Sequence, residues 1–248
     1  MLSRRSFIAA SGAAVVAACP VCRAFAAEGP HWTYDEAAHW GDLSPDFQVC
    51  GLGAEQSPID LVDPVPAELG DVAVKWQPKG GVVVNNGHTI QVNTEAGSAA
   101  DIAGKSYDLL QFHFHHPSEH TVAGAAHAME AHFVHRAADG GLAVLGVFLV
   151  PGAENGTLAR VWGKVPDEEG EAELDGALDL STLLPSDRAY YRYAGSLTTP
   201  PCSETVLWTV FANPVEVSDA QIAAFAALYP MNARPIQDLN RRFLLESS

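Results

Sequence analysis

Residues 111–115, Gln-Phe-His-Phe-His, alternate polar and aromatic side chains, and this constrains the chain more than any other feature. Side chains along a β-strand point alternately to its two faces. Such a strand carries Gln111, His113 and His115 on one face and both phenylalanines on the other. The pattern therefore predicts a strand with one aromatic face and one polar face.

A second predicted strand with a polar face follows in the sequence, at about the separation expected for the two strands of a hairpin. The same alternation places Glu130, His132 and Val134 on one face of another strand. If the two strands pair antiparallel, the imidazoles of His113, His115 and His132 can converge on one point. Three neutral nitrogens leave the fourth tetrahedral position for water, which is typical of a catalytic rather than a structural zinc site.

A plainer interpretation is that the two histidines between phenylalanines form the half-polar face of an ordinary strand. Gln111 and Glu130 favour the metal site, because both lie on the ligand faces. Ligating histidines usually donate their second N–H to an amide, a carboxylate or a backbone carbonyl. We therefore predict that these two residues orient the three histidine ligands.

Five short motifs around the histidines occur in a fixed order. They are QSPID at 56–60, NNGH at 85–88, FHFH at 112–115, SEHT at 118–121 and GSLTTPP at 195–201. In this order, the motifs and the histidines resemble the alpha-class carbonic anhydrases. The resemblance extends from about His31 to Arg242, which is nearly all of the chain after its leader.

Short apolar runs separated by turn residues predict a mainly β chain. We predict strands at residues 72–76, 81–85, 89–93, 109–115, 128–135 and 142–150. A helix is predicted at 218–228, with Ser218 as N-cap and Gln221 completing a capping box, and weaker helical patterns cover 154–160 and 157–165. The resemblance implies the topology of a single domain, 27–248: a large, mostly antiparallel central sheet with short peripheral helices, and zinc at the base of a conical cleft.

The resemblance also implies the activity, which is the reversible hydration of carbon dioxide to bicarbonate and a proton by zinc-bound hydroxide. His88 would be the proton shuttle, and Thr198 would orient the hydroxide while passing its own hydroxyl hydrogen to Glu119. His120 would belong to a buried network with Tyr193. The implied substrate-binding residues are Val134, Val144, Leu197, Thr199, Val206 and Trp208.

Without the resemblance, these residues have simpler explanations. Thr198 would be a turn residue ahead of two prolines, Glu119 a surface ion-pair partner and His88 an exposed hairpin histidine. Two other functional classes also need to be weighed. A non-catalytic binding relative would usually have lost a ligand histidine, whereas all three are present here. A dedicated zinc esterase has no serine elbow or His-Glu-x-x-His helix to support it, so we expect esterase activity only as a side reaction.

The chain has 14 basic and 30 acidic residues, a balance that argues against nucleic acid or an anionic membrane surface as partner. Removing residues 1–26 takes away three arginines and shifts the formal charge from −16 to −19, with 11 basic residues left against 30 acidic ones. We expect a monomer or a homodimer with a small-molecule substrate, carbon dioxide or bicarbonate.

Residues 1–26 are predicted to be a twin-arginine export signal. Arg4 and Arg5 precede an apolar run at 7–18 that is too short to span a bilayer as a permanent helix, and Ala-Phe-Ala at 24–26 offers a cleavage site. The mature protein would then be periplasmic, without an integral membrane span.

Four cysteines form two pairs in the sequence. Cys19 and Cys22 look like a redox or metal motif, but they lie in the predicted leader and can be incidental to its composition. A lipobox-like run, Val-Ala-Ala-Cys at 16–19, offers lipid anchoring at Cys19 as a further alternative. The resemblance implies a disulfide between Cys50 and Cys202, which an oxidising compartment permits.

Overall fold

The computed structural model describes residues 30–247. The predicted export signal and the Cys19–Cys22 pair therefore lie outside the described residues. Within residues 30–247, no helix combines the length and the apolar character needed to cross a bilayer.

Strands dominate the described chain, and its helices are short. The strands are β1 (Asp60–Leu61), β2 (Val65–Ala67), β3 (Ala73–Lys75), β4 (Gly81–Asn85), β5 (Ile90–Thr94), β6 (Ala99–Ile102), β7 (Lys105–His115), β8 (Thr121–Val122), β9 (Ala125–Ala126), β10 (Met129–Arg136), β11 (Leu142–Pro151), β12 (Gly170–Glu173), β13 (Tyr190–Gly195), β14 (Val206–Val217) and β15 (Leu245–Ser247). The α-helices are α1 (Trp40–Leu43), α2 (Val49–Leu52), α3 (Gly156–Trp162) and α4 (Asp219–Leu228), and 3-10 turns lie at Tyr34–His39, Pro45–Phe47 and Leu180–Leu183.

One large twisted sheet organises the fold. Its order is β12-β4-β5-β7-β10-β11-β14-β13-β15-β2, with β6 pairing on β7 and β3 on β6. Most neighbours are antiparallel, while β11–β14 and β15–β2 run parallel. A small sheet, β1-β8-β9, lies apart from it. The predicted fold class, a mainly β domain with a large, mostly antiparallel sheet and short helices, is confirmed.

The local predictions match the structure where the sequence pattern is strong. All six predicted strands form, and so does the helix α4. Its N-terminus has the predicted capping box: Ser218 Oγ accepts from the backbone of Gln221, and the Gln221 side chain accepts from the backbone of Ser218. The weaker helical pattern corresponds to α3. Strands β13 and β14 were not among the strands predicted from the sequence.

The two faces of the sheet carry two different apolar clusters. Phe112 and Phe114 are fully buried in the larger cluster, together with Phe133 from the neighbouring strand. The other face carries a smaller cluster that includes Val134 and Trp208. The predicted alternation of residues 111–115 is thereby confirmed: the phenylalanines enter the larger core and leave the opposite face to the histidines.

A disulfide joins Cys50 of α2 to Cys202, across a sequence separation of 152 residues. Both cysteines are buried, in a third apolar cluster with Trp40 and Phe47. The bridge ties down the loop after β13, which carries Thr198. In the chain-entropy model, closing so long a loop stabilises the fold by about 3–5 kcal/mol. The disulfide implied by the resemblance is present.

His135 is a buried histidine at the end of β10. Its Nδ1–H donates to the carbonyl of Phe133 at 2.8 Å, and its Nε2 accepts from the indole N–H of Trp76 at 3.1 Å. Burial lowers the pKa of His135 from 6.5 to about 4, against a smaller opposing effect of the Phe133 carbonyl. The imidazole is therefore neutral in the folded protein at pH 7.

We predict that His135 destabilises the protein as the pH falls from about 6.5 to about 4. In that window the unfolded chain binds a proton at this position and the folded chain does not, so stability is lost. In His135→Gln, the slope of the free energy of unfolding against pH should therefore be smaller in this window. The decrease should correspond to the binding of close to one proton on unfolding. Urea unfolding at several pH values measures this slope. His39→Gln, at an exposed histidine, is the control, and equal slopes in both variants would contradict the prediction.

Candidate active site

The register of three neighbouring strands brings the polar side chains together. In the antiparallel pair β7–β10, His132 lies opposite His113, and Glu130 lies opposite His115. On the other side of β7, Gln91 of β5 is the cross-strand neighbour of His113. The rings of the three predicted ligands approach one another, with centroids 4.5 to 5.3 Å apart.

His113 and His115 each have one nitrogen engaged and one nitrogen free. His113 Nδ1 lies 2.9 Å from Gln111 Oε1, and His115 Nδ1 lies 2.7 Å from the backbone oxygen of Asn232. Both oxygens can only accept, so each histidine must donate its Nδ1–H and keep the lone pair on Nε2. The predicted role of Gln111 fits this geometry. The partner of His115 comes from a segment that the sequence analysis did not consider.

Glu130 holds the third histidine from the opposite side. His132 Nε2 lies 2.9 Å from Glu130 Oε1, an ion-pair distance without hydrogen-bond geometry, and His132 Nδ1 lies 3.8 Å from Glu119 Oε2. Burial alone would raise the pKa of Glu130, but His120 and His132 outweigh it and hold that pKa well below its usual value. Glycine is required at position 146, opposite His132 on β11, because a Cβ there would lie 2.9 Å from Glu130 Oε1.

The three histidines fit a metal ion. Their ligand nitrogens lie within 4.8 Å of one another, and His115 Nε2 is buried without a hydrogen-bond partner. Burial, together with the neighbouring imidazoles, lowers the pKa of His113 and His115, so both are neutral near pH 7. Three histidine nitrogens are the protein ligands of one class of catalytic zinc site, in which the fourth position is left for water.

A second group of possible ligands consists of His120, Glu130 and His132. Here both nitrogens of His120 are already engaged: Nδ1 lies 2.8 Å from Glu130 Oε1, and Nε2 lies 2.6 Å from the hydroxyl of Tyr193. The group is therefore a hydrogen-bonded network that supports His132. The expected pairing of His120 with Tyr193 is confirmed.

Glu119 is a buried carboxylate beside the triad. Its Oε1 accepts the backbone N–H of Arg234 at 2.9 Å. Its Oε2 lies 3.4 Å from His115 Nε2 and 3.8 Å from His132 Nδ1, and it has no hydrogen-bond partner. Thr198 is nearly buried and lines the same site, although no hydrogen bond joins it to Glu119 in residues 30–247.

The triad lies in a cavity of about 80 Å³. Eight further residues predicted for the site line this cavity: His88, Gln111, Val134, Val144, Leu197, Thr198, Thr199 and Trp208. Val206 does not line the cavity but packs behind it, in the apolar cluster of Val134 and Val144. One wall is thus apolar, and the remainder is polar.

His88 lines the outer part of this cavity and stacks on Trp32, with centroids 3.8 Å apart and planes 7° from parallel. Burial lowers the pKa of His88, and so does the nearby His31, while Glu169 opposes both. The sequence analysis missed the contribution of Trp32. No periodic pattern surrounds that residue, so the sequence offered little signal for it.

Arg234 is a second residue that sequence reasoning missed. Its guanidinium donates to Gln56 Oε1 at 2.9 Å, to the Ser57 carbonyl at 2.7 Å and to the Cys50 carbonyl at 2.8 Å. Its backbone holds Glu119. These bonds connect the disulfide region to the carboxylate beside the triad. They join segments more than 170 residues apart in sequence, which no local motif reveals.

A mostly antiparallel sheet with three converging histidines in a cavity that is apolar on one side defines a site that can hold one metal ion. Comparisons with known proteins agree. The family model for eukaryotic-type carbonic anhydrase matches residues 35–248. A carbonic anhydrase of a Nostoc species is 48% identical to this chain, over 84% of this chain and 82% of its own length. A carbonic anhydrase of Pectobacterium carotovorum is 40% identical, over 90% of this chain and 93% of its own length.

A solved structure gives the same result. The alpha-carbonic anhydrase of Thermovibrio ammonificans, in complex with the inhibitor sulfanilamide, superimposes with a TM-score of 0.85 at 47% identity, covering 88% of this chain and 99% of its own. The chain belongs to the alpha carbonic anhydrase family and is an enzyme of that family. Membership supports the hydration of carbon dioxide as its activity.

We predict a graded loss of metal affinity across three variants. Gln111→Ala removes an orienting partner and should weaken zinc binding about 10–100-fold, and His113→Ala removes a ligand and should weaken it further. His116→Ala, at a histidine outside the triad, is the control. Competition with a chromophoric chelator measures the affinities. Equal affinity in His113→Ala and His116→Ala would contradict the assignment of the ligands.

Proposed function

We propose that this protein hydrates carbon dioxide reversibly to bicarbonate and a proton, with a zinc ion held by His113, His115 and His132. The observation that carries the proposal is the geometry of the triad: one nitrogen of each imidazole lies within 4.8 Å of the other two, and Gln111, the Asn232 carbonyl and Glu130 each contact the other nitrogen of one histidine. A zinc ion held by this donor set would lower the pKa of a bound water to about 7 and so would supply a nucleophile at neutral pH.

Thr198 and Glu119 are proposed to orient the reacting water. A threonine hydroxyl both donates and accepts, whereas an ionised carboxylate only accepts, so the direction of the hydrogen bonds is determined. Glu119 Oε2 is buried beside the triad without a partner and can accept the Thr198 hydroxyl hydrogen. The Thr198 oxygen is then left as an acceptor, which directs a lone pair of the reacting water toward the substrate.

The apolar wall is proposed to hold carbon dioxide next to the triad. Carbon dioxide has neither charge nor dipole, so apolar contacts suit it better than hydrogen-bond donors. Val134, Val144, Leu197 and Trp208 line the cavity, with Thr199 at its polar side, and Val206 supports them from behind. Val134, Val144 and Trp208 belong to the central strands β10, β11 and β14, and Leu197 lies in the loop after β13.

His88 is proposed to carry the released proton to solvent. It is a half-exposed imidazole in the same cavity as the triad, and an imidazole can accept and release a proton near neutral pH. Stacking on Trp32 positions its ring. Its lowered pKa favours the neutral form, which is the form that accepts a proton during hydration.

We propose further that the chain is exported to the periplasm after cleavage at Ala26, with lipid anchoring at Cys19 as the alternative. The twin-arginine motif supports export, and the Cys50–Cys202 disulfide is consistent with an oxidising compartment. Mass spectrometry of the mature N-terminus in cell fractions distinguishes the two routes.

We predict that stopped-flow measurements on the zinc-loaded protein will show rapid hydration of carbon dioxide. Removal of zinc by a chelator should abolish the activity and re-addition should restore it, because the nucleophile depends on the metal. Hydrolysis of an activated ester should follow the same zinc dependence at far lower efficiency. A folded, zinc-loaded protein without hydration activity would refute the proposal, and ester turnover exceeding hydration would favour a dedicated esterase.

We predict that His88→Ala lowers kcat for hydration about tenfold or more in weak buffer, and that imidazole restores it because a free base replaces the missing one. In the wild type, kcat should rise with pH and reach half its maximum below pH 6.5, since burial lowers the pKa of His88. His39→Ala, at an exposed histidine, is the control. A normal kcat in His88→Ala would exclude the shuttle role.

A further inference from the structure

A second cavity, of about 630 Å³, lies at the edge of the sheet beside β13 and β15 and shares no lining residue with the active-site cavity. Its cationic lining consists of Arg192, Arg241 and Arg242. These are three of the 11 basic residues that follow residue 26, in a chain with 30 acidic ones. Such a concentration of positive charge is unexpected in a strongly acidic protein.

The three arginines have no carboxylate partner in residues 30–247. Within residues 30–247 no ion pair involves any of them; Glu55, the one acidic residue in the lining, and Glu204 outside it interact with Arg242 only from a longer distance. Arg242 donates to the backbone oxygens of Leu239, Ala194 and Asp238. Among residues 30–247, the side chain of Arg241 has no hydrogen-bond or ion-pair partner. The lining therefore carries a net positive charge.

Arg192 is the most unusual of the three, because it is only 6% exposed. It alternates along β13 with Tyr191 and Tyr193. Its Nε and Nη2 donate to the hydroxyl of Thr209 at 3.4 and 3.2 Å, and its guanidinium lies 4.6 Å from the ring centre of Tyr190. A neutral hydroxyl and an aromatic face compensate only part of the cost of removing a guanidinium from water. Burial accordingly lowers its pKa.

The rest of the lining is largely apolar. Leu207 and Leu245 line the cavity with Ala54 and Ala194, and Phe243 lies at its rim with 74% of its surface exposed. A simple inorganic anion would satisfy the guanidinium groups and leave these side chains in water. A ligand with both an anionic and an apolar part would satisfy both.

We propose that this second cavity binds a small organic carboxylate with an apolar body. The guanidinium of Arg241 and the N–H groups of Arg192 that Thr209 leaves free can donate to the two oxygens of a carboxylate. The apolar body would cover Leu207, Leu245 and Phe243. The site is separate from the metal centre and does not depend on the proposed catalytic mechanism.

To test this proposal, octanoate is titrated into the zinc-loaded wild-type protein and its binding is measured by calorimetry. Octanamide, an uncharged analogue of nearly equal shape, is titrated in the same way for comparison. We expect octanoate to bind at one site and octanamide at least about tenfold more weakly. Arg241→Gln, at an exposed position that folding does not require, should weaken octanoate binding about tenfold, and Phe243→Ala should weaken both ligands. Arg188→Gln, which removes an exposed arginine outside the cavity, is the matched control.

Arg192→Gln provides a second test, with its fold checked by circular dichroism. The proposal would be overturned if octanoate and octanamide bound equally well. It would also be overturned if octanoate binding were unchanged both in Arg241→Gln and in folded Arg192→Gln. Octanoate binding that disappears in His113→Ala would place the carboxylate at the metal instead, which would also overturn it.

Discussion

The antiparallel register of β7 and β10 is the constraint on which the site depends. It places His132 directly opposite His113 and next to His115, and the carbonyl of Asn232, from the loop after α4, orients His115. A shift of one residue would turn either the histidines or the phenylalanines to the wrong face. Phe112, Phe114 and Phe133 are fully buried on the opposite side. The aromatic core therefore sets the register that the histidines use.

Burying this much polar surface requires that its donors and acceptors be matched. Gln111 and the carbonyl of Asn232 orient two histidines, while Glu130 contacts the third and is held in turn by His120 and Tyr193. Within residues 30–247, four buried side-chain atoms lack a hydrogen-bond partner: His115 Nε2, Glu119 Oε2, His132 Nε2 and Arg234 Nε. We propose a metal ion as the partner of His115 Nε2 and the Thr198 hydroxyl as the partner of Glu119 Oε2.

Sequence reasoning succeeded where the signal was local. The alternation at 111–115, the capping box at Ser218 and Gln221, and the six predicted strands depend on neighbouring residues alone, and all are present in the structure. It failed for β13 and β14, whose strand character depends on pairing with each other and with β11. It also missed Trp32 and Arg234, whose contacts with His88 and with Gln56 cross large sequence separations.

The sequence by itself determined the candidate ligands, the strand faces on which they lie and, through its motifs, the family, because these follow from residue identity and a two-residue period. Only the tertiary structure decided which nitrogen of each histidine is free, since that depends on Asn232 and other distant partners. It alone placed Val206 behind the cavity wall and brought three arginines to a second cavity. Hydrogen-bond geometry and burial arise from the packing of remote segments, which no local pattern specifies.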